Sequence, residues 1–381
     1  MIEEPPGERG EAGRGPAGEA FGGDETPGAD EPAGLAERLA ERLASGDRPL
    51  LLDGATGTEL ERAGLKTGLP LWSTHALIEA PEQVREVHRR YAAAGAEILT
   101  ANTFRTQERT LRRAGLTAPA RRARALTRLA VRLAREAAWQ AAGQATRDAP
   151  RDAPREGTRE RGAQALGAGA RPPWVAGSQP PLEDCYRPDL VPDPATLERE
   201  HVRHAGLLAQ AGVDLILVET MGTLREARIA VTAARATGRP VVASFVSWER
   251  GRILSGESLA EAAASVLEAG ALAVGVNCVP PSTIPGAIAS LAALEAPLLL
   301  APNLGEPEDE KGFARSEDVT PAAFAALFEG WLEAAGAWSP ATRVALVGGC
   351  CGTTPDHTAA LARGLRSLAR RSGTGPVPPS I

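Results

Sequence analysis

Between Leu50 and Val347 the chain alternates short, unbroken apolar runs with longer stretches whose apolar residues recur every three to four positions. The short runs read as buried strands and the longer stretches as helices. The predicted strands cover residues 48–53, 97–104, 174–178, 215–220 and 240–246, a sixth run ending at Cys278, residues 297–303, and an eighth run ending at Cys350. Helices are predicted over residues 35–43, 81–94, about 107–142, 194–211, 223–236, 258–269, 284–294 and 321–335. A last helix opens with Thr354 as N-cap and Pro355 in its first position. Residues 54–60 read as a glycine-rich turn and match neither a P-loop nor a dinucleotide fingerprint.

Strands that are apolar along their whole length suit a parallel sheet covered on both faces. Eight of them, alternating with helices over about 300 residues, predict an α/β protein with a closed (β/α)8 barrel, the TIM-barrel architecture. An open, doubly wound sheet is the alternative. A barrel carries its site at the strand C-terminal ends, where Asp53, Thr103, Ser178, Glu219, Cys278, Asn303, Cys350 and Cys351 all fall. Residues 1–33, rich in Gly, Glu, Pro and Ala, read as a disordered tail. Residues 34–372 form the single barrel domain and 373–381 a C-terminal tail. Residues 143–172 contain a repeated Arg-Asp-Ala-Pro and read as a disordered, low-complexity surface insertion.

Composition narrows the function classes. The net charge is -6, and acidic residues interrupt the arginines of the insertion, so a nucleic-acid partner is not expected. No run of about 18 apolar residues exists and the N-terminus lacks signal-peptide features, so no membrane partner is expected. Four cysteines in 381 residues do not resemble a disulfide scaffold, which points to a reducing cytoplasm.

Three of those cysteines end strands: Cys278 in Val276-Asn277-Cys278, and the adjacent pair in Gly348-Gly349-Cys350-Cys351-Gly352. Three thiolates can hold a tetrahedral Zn2+ with one open position, a catalytic layout. Ordinary buried cysteines are the other reading of the residues alone. Asp53 likewise reads either as a turn carboxylate or as a site group. Cys185 lies in the loop 181–186, away from the other cysteines, and is read as a non-ligand. His201 and His204 read as a solvated helix face, His357 as polar decoration of the last helix, and Tyr91 as core.

The stretches Leu52-Asp53-Gly54-Ala55-Thr56-Gly57-Thr58-Glu59-Leu60, Val276-Asn277-Cys278 and Val347-Gly348-Gly349-Cys350-Cys351-Gly352-Thr353-Thr354-Pro355 resemble the homocysteine S-methyltransferase family. The family includes S-methylmethionine- and betaine-dependent enzymes and the homocysteine-binding module of cobalamin-dependent methionine synthase. The resemblance implies that Cys278, Cys350 and Cys351 bind Zn2+ and that Asp53 and Glu219 hold the substrate ammonium group. Gly54 would let backbone amides approach the substrate, and Thr103 is a weaker substrate contact. Asn277 either orients a zinc-bound sulfur or caps its loop. The implied activity is methyl transfer to homocysteine, giving methionine, with S-methylmethionine as first donor and S-adenosylmethionine and betaine after it.

The family's S-methylmethionine enzymes often carry glycine-serine-x-glycine-proline after the third strand. Here that stretch is Gly177-Ser178-Gln179-Pro180-Pro181, so donor choice is open. About ten residues follow the last helix, which leaves no room for folate or cobalamin domains. A homocysteine-activating subunit that takes methyl from a separate corrinoid or folate protein is the alternative activity.

Overall fold

The computed structural model describes residues 32–45, 48–148, 171–248, 251–306, 314–315, 319–335 and 343–371. Eight strands join one parallel sheet: β1 (Leu50–Leu51), β2 (Ile98–Ala101), β3 (Trp174–Gln179), β4 (Leu215–Met221), β5 (Val241–Phe245), β6 (Ala273–Asn277), β7 (Leu298–Ala301) and β8 (Val344–Val347). Neighbours follow chain order from β2 to β8, and β8 pairs with β1. The sheet curls until its ends meet. Leu52 bridges Ile98, Glu97 N donates to Leu51 O at 2.7 Å, and Asp53 N donates to Ile98 O at 3.0 Å. That closure makes the barrel and removes the open-sheet alternative.

The helices are α1 (Pro32–Ser45), α2 (Thr56–Arg62), α3 (Thr74–Glu79), α4 (Pro81–Ala93), α5 (Glu108–Arg113), α6 (Pro119–Asp148), α7 (Pro194–Gln210), α8 (Leu224–Arg235), α9 (Leu259–Glu268), α10 (Ile284–Leu291), α11 (Pro321–Ala335) and α12 (Pro355–Arg371). Helix α1 puts Leu39 and Leu43 into the barrel-interior cluster with Leu50 and Ile98. Arg42 Nη1 donates to Arg48 O and Arg343 Nη1 to Ala44 O, both at 2.8 Å, so α1 plugs the end opposite the predicted site.

Several expectations change. The glycine-rich 54–60 stretch is mostly helix α2, and α3 was not read at all. The region expected as one helix from about 107 to 142 is two. Gly115 ends α5 with φ +73°, and Ala118 follows at φ +50°. Helix α6 then runs to Asp148, so residues 143–148 are helical rather than insertion, and α1 begins two residues inside the expected tail. The rest of that tail, residues 149–170 and residues 372–381 lie outside the described residues.

His201 and His204 are buried, not solvated. Helix α7 packs Leu197, His201, His204, Ala205 and Leu208 inward, an i, i+4, i+7, i+8, i+11 stripe in which two histidines occupy core positions. His201 Nε2 donates to Glu226 Oε1 at 3.2 Å and its Nδ1 accepts from Gln179 Nε2 at 3.3 Å. His357 is also buried and works as a cap. Its Nδ1 accepts from Thr354 N at 3.2 Å and its Nε2 donates to Val319 O at 3.0 Å. Tyr91 is core as expected, with its hydroxyl donating to Ala55 O and Thr353 O.

Candidate active site

At the C-terminal end of the barrel lies a cavity of about 810 Å³. Asp53, Gly54, Glu219, Asn277, Cys278, Cys350 and Cys351 all line it. Thr103 does not. Its hydroxyl donates to Ser178 O at 3.0 Å and accepts from Ser178 N at 2.9 Å, fastening the β2 loop to β3.

The three motif cysteines converge. Their sulfurs all lie within 4.8 Å of one another, and Cys278 Sγ is 3.8 Å from Cys351 Sγ. A tetrahedral ion with sulfur ligands at about 2.3 Å requires sulfur–sulfur edges of about 3.8 Å. The donor set therefore fits a metal of zinc's size, and all three cysteines are free thiols. The cluster is prepared by strand ends. Cys350 N donates to Pro302 O at 2.8 Å, Asn303 N to Val279 O at 3.0 Å, and Leu304 N to Cys351 O at 2.8 Å. The end of β7 thus ties the two cysteine-bearing ends together without supplying a ligand. Asn303 itself is fully buried, and its side-chain amide has no hydrogen-bond partner among the described residues.

The three thiols bias one another's ionisation. Hydrogen bonds from Cys278 and Cys351 hold Cys350 well below the ordinary thiol range. The Cys350 thiolate in turn helps keep Cys278 and Cys351 protonated. Thiols this close stabilise one thiolate and resist a second, which is the condition a divalent cation relieves.

Asn277 is a clamp. Its Oδ1 accepts from Thr220 N and from Ser244 Oγ, both at 2.8 Å. Its Nδ2 donates to Thr220 Oγ1 at 2.9 Å and to Glu219 Oε2 at 3.2 Å. The neighbours need this hold. Thr220 has φ +62° and Cys278 φ +56°, left-handed values that are costly for residues with a Cβ, and most of all for β-branched threonine. One side chain therefore fixes the backbone after Glu219, the Glu219 carboxylate, and the residue preceding a cluster cysteine.

Two carboxylates face the cavity beside the thiols. Asp53 Oδ2 accepts from Thr100 N at 2.8 Å, and Oδ1 from Thr100 Oγ1 at 2.9 Å. Burial nevertheless pushes Asp53 up to about 7. Glu219 also accepts from Ser178 Oγ. Burial and the nearby Cys350 charge push it up to about 8. Both carboxylates are thus short of a cation. Gly54 is required for packing as well as for any ligand approach: a Cβ there would lie 2.5 Å from Thr353 Oγ1 and 2.8 Å from the Tyr91 hydroxyl.

The sequence did not point to the aromatic lining of the cavity. Tyr186 Oη lies 3.0 Å from Cys278 Sγ, and the Tyr186 ring stacks on Trp248 with centroids 5.2 Å apart. Trp72, Phe104 and Arg105 also line the cavity. Cys185, expected away from the site, lines the same cavity, although its sulfur stands outside the three-sulfur group. Burial pushes its thiol up to about 12. The neighbour of a strand-end motif can be read from sequence, but loop residues such as Tyr186 reach the site only through the path of the folded loop.

A (β/α)8 barrel that gathers three cysteine sulfurs, at spacings that fit a metal, beside two buried carboxylates has the layout of an enzyme site. The profile of the homocysteine S-methyltransferase family matches residues 50–365. Homocysteine S-methyltransferase 3 of Zea mays is 30% identical over 345 residues, covering 87% of this chain and 95% of the maize protein. A selenocysteine Se-methyltransferase of Brassica oleracea var. italica is 29% identical over 330 residues, covering 84% and 90%. Among solved structures, the metallated form of the homocysteine methyltransferase MmuM from Escherichia coli superimposes with a TM-score of 0.67 at 27% identity, covering 85% of this chain and 99% of that one. The chain belongs to the homocysteine S-methyltransferase family, and is a methyltransferase.

Proposed function

We propose that the protein transfers a methyl group from a sulfonium donor, S-methylmethionine first, to the thiol of L-homocysteine, giving methionine. The observation that carries this reading is the three-sulfur cluster set beside Asp53 and Glu219 in one cavity. Zinc is the ion assigned, because three cysteine sulfurs with a fourth position open form a catalytic zinc donor set. Bound there, zinc supplies an acidified thiol, so that homocysteine sulfur is present as a thiolate at neutral pH.

The chain's own groups do the rest. Asp53 and Glu219 receive the homocysteine ammonium group, which supplies the cation their burial lacks. Asn277 keeps Glu219 aimed and holds the Cys278 turn. Tyr186, Trp248 and Trp72 present aromatic surface where a cationic donor would lie. A sulfonium suits such a wall better than an anionic folate does. In the reaction, a bond forms between the homocysteine sulfur and the methyl carbon as the bond from that carbon to the donor sulfur breaks. The electron pair returns to the donor sulfur as a neutral thioether, and the thiol proton leaves to solvent. No acid or base has to act at the methyl group, so catalysis rests on alignment, worth up to about 7–11 kcal/mol for well-oriented partners.

The test is methionine formation by the zinc-loaded protein from homocysteine, with S-methylmethionine, S-adenosylmethionine, betaine and methyltetrahydrofolate in parallel and selenocysteine as a second acceptor. Turnover with a sulfonium donor is expected, and Cys350→Ala should abolish it together with stoichiometric zinc. Full turnover in Cys350→Ala would sink the metal-thiolate reading. Silence with every small donor, relieved by a methyl-corrinoid protein, would replace the sulfonium reading with the partner-dependent one.

A further inference from the structure

The turn that carries the vicinal cysteines is gripped from two sides. On the β7 side, Leu304 N donates to Cys351 O and Cys350 N to Pro302 O. On the other side stands α2 (Thr56–Arg62), the helix formed by the glycine-rich stretch after β1. It takes both backbone polar groups of Gly352, the residue directly after the cysteines. Thr58 Oγ1 accepts from Gly352 N at 3.2 Å, and Arg62 Nη2 donates to Gly352 O at 2.8 Å. Arg62 Nη1 reaches Thr353 O at 3.4 Å, a carbonyl that also accepts from Tyr91 Oη at 3.1 Å. The guanidinium is aimed from behind. Glu59 is 2% exposed, and its Oε1 accepts from Arg62 Nη1 at 2.6 Å while its Oε2 accepts from Arg90 Nη1 at 2.9 Å. Gly352 has no slack: its φ is +83°, and a Cβ there would fall 2.2 Å from Leu304 O.

We infer that Arg62, aimed by Glu59, is a positioning residue for the sulfurs of Cys350 and Cys351. This rests on the metal-thiolate reading of the cluster. Two of the three ligands then lie on one short turn, so a shift of that turn moves both together relative to Cys278, which follows β6. A tetrahedral ion tolerates little of this, because bond lengths of about 2.3 Å set the sulfur–sulfur edges at about 3.8 Å. An exposed i, i+3 ion pair on a helix would contribute little. This pair differs because its carboxylate is buried and its guanidinium also holds the backbone of the turn. The planar fork spans a carboxylate and two carbonyls at once, which an ammonium group on a flexible stem cannot do. Neither Glu59 nor Arg62 lines the cavity, so the pair acts on the site through the turn and not on a substrate.

The experiment is zinc affinity by competition with a chromophoric chelator, together with the thiolate-to-metal absorption of the cobalt-substituted protein. In Arg62→Gln, zinc affinity should fall by about 10- to 100-fold, the usual cost of removing a group that orients metal ligands. The cobalt absorption of the saturated variant should shift or weaken, and Arg62→Lys should recover part of both losses. Arg135→Gln separates positioning from general stability. Arg135 makes a comparable pair with Asp214 at 2.6 Å and donates to Gly212 O at 2.8 Å, at the far end of the barrel before β4 (Leu215–Met221). That variant should lower the denaturation midpoint as Arg62→Gln does, yet keep zinc affinity within about twofold of wild type. Wild-type affinity with an unchanged cobalt spectrum in Arg62→Gln would overturn the inference. So would equal losses of affinity in the two variants. Failure of the metal reading looks different: wild type itself would bind no stoichiometric zinc.

Discussion

At the residue scale, the site is organised by groups that lack their counter-charge. Asp53 is the clearest. Its carboxylate is buried and doubly hydrogen-bonded to Thr100, yet burial outweighs those bonds and pushes it up to about 7. In the role proposed for it, it would attract the homocysteine ammonium group only when ionised, so homocysteine capture should weaken as pH falls through that region. Glu219, pushed up to about 8, acts in the same direction. The logarithm of kcat/KM for homocysteine should therefore fall on the acid side with a limiting slope of two, because kcat/KM reports the free enzyme. In Asp53→Asn the slope should drop to one, with kcat/KM down about tenfold or more. An unchanged slope would remove Asp53 from ammonium binding. The strand-end positions of Asp53 and the cysteines were legible because a polar residue closing an apolar strand is conspicuous, but the residues alone left a turn carboxylate and ordinary buried thiols open, and their roles were implied by the family resemblance. Asn277 was noticed for the same reason, but its actual partners, Thr220, Ser244 and Glu219, lie on two other strands and could not be read locally.

At the element scale, β6 carries an unusual constraint. Gly275 sits opposite Leu299 of β7, and a Cβ at that position would fall 1.8 Å from the Leu299 carbonyl oxygen. No side-chain rotation relieves a clash with backbone. Gly275→Ala must push β6 from β7, at a cost of at least about 1–3 kcal/mol by analogy with overpacked cores. The denaturation midpoint should drop accordingly, and metal affinity should fall with it, because Cys278 lies three residues further on, immediately past the end of the same strand. Unaltered metal affinity in a destabilised Gly275→Ala protein would show that the cluster does not depend on this close approach. The eight strands were readable as elements because each is apolar throughout. Helix α2 (Thr56–Arg62) was not, since its sequence is glycine- and threonine-rich and its support is tertiary. Thr58 Oγ1 accepts from Gly352 N at 3.2 Å, and Glu59 pairs with Arg62 and Arg90. The α7 histidines misled for the opposite reason: polar residues at helical spacing looked solvated, and the buried partners Glu226 and Gln179 come from elsewhere in the chain.

At the scale of the whole molecule, the barrel is sealed at one end by α1 (Pro32–Ser45) and open at the other, where every strand contributes to the cavity or its support. Among the described residues, no helix is long and apolar enough to cross a membrane. Architecture and strand-end chemistry could be read from the chain because barrel topology converts sequence order into a ring of strand ends. The lining residues that loops supply, such as Tyr186 and Trp248, could not, because loop paths bring them in. A metal bound at Cys278, Cys350 and Cys351 would join ends 72 residues apart and stabilise the folded state by mass action, by about 4 kcal/mol at a thousandfold excess over Kd. Chelation should lower the melting temperature while leaving the far-ultraviolet dichroism at 25 °C unchanged. A collapse of that signal would mean that the metal is needed for the fold itself.

The three backbone hydrogen bonds around the end of β7, from Cys350, Asn303 and Leu304, have a consequence in time. They run between backbone atoms and tie the two cysteine-bearing ends together without using the sulfurs, so we expect the thiols to stay gathered when a bound ion is removed. Activity removed by a chelator should return on adding zinc as fast as the ion diffuses in and sheds its water, with no lag for refolding. A lag of seconds or longer in stopped-flow recovery would show that the ends drift apart once the ion is gone.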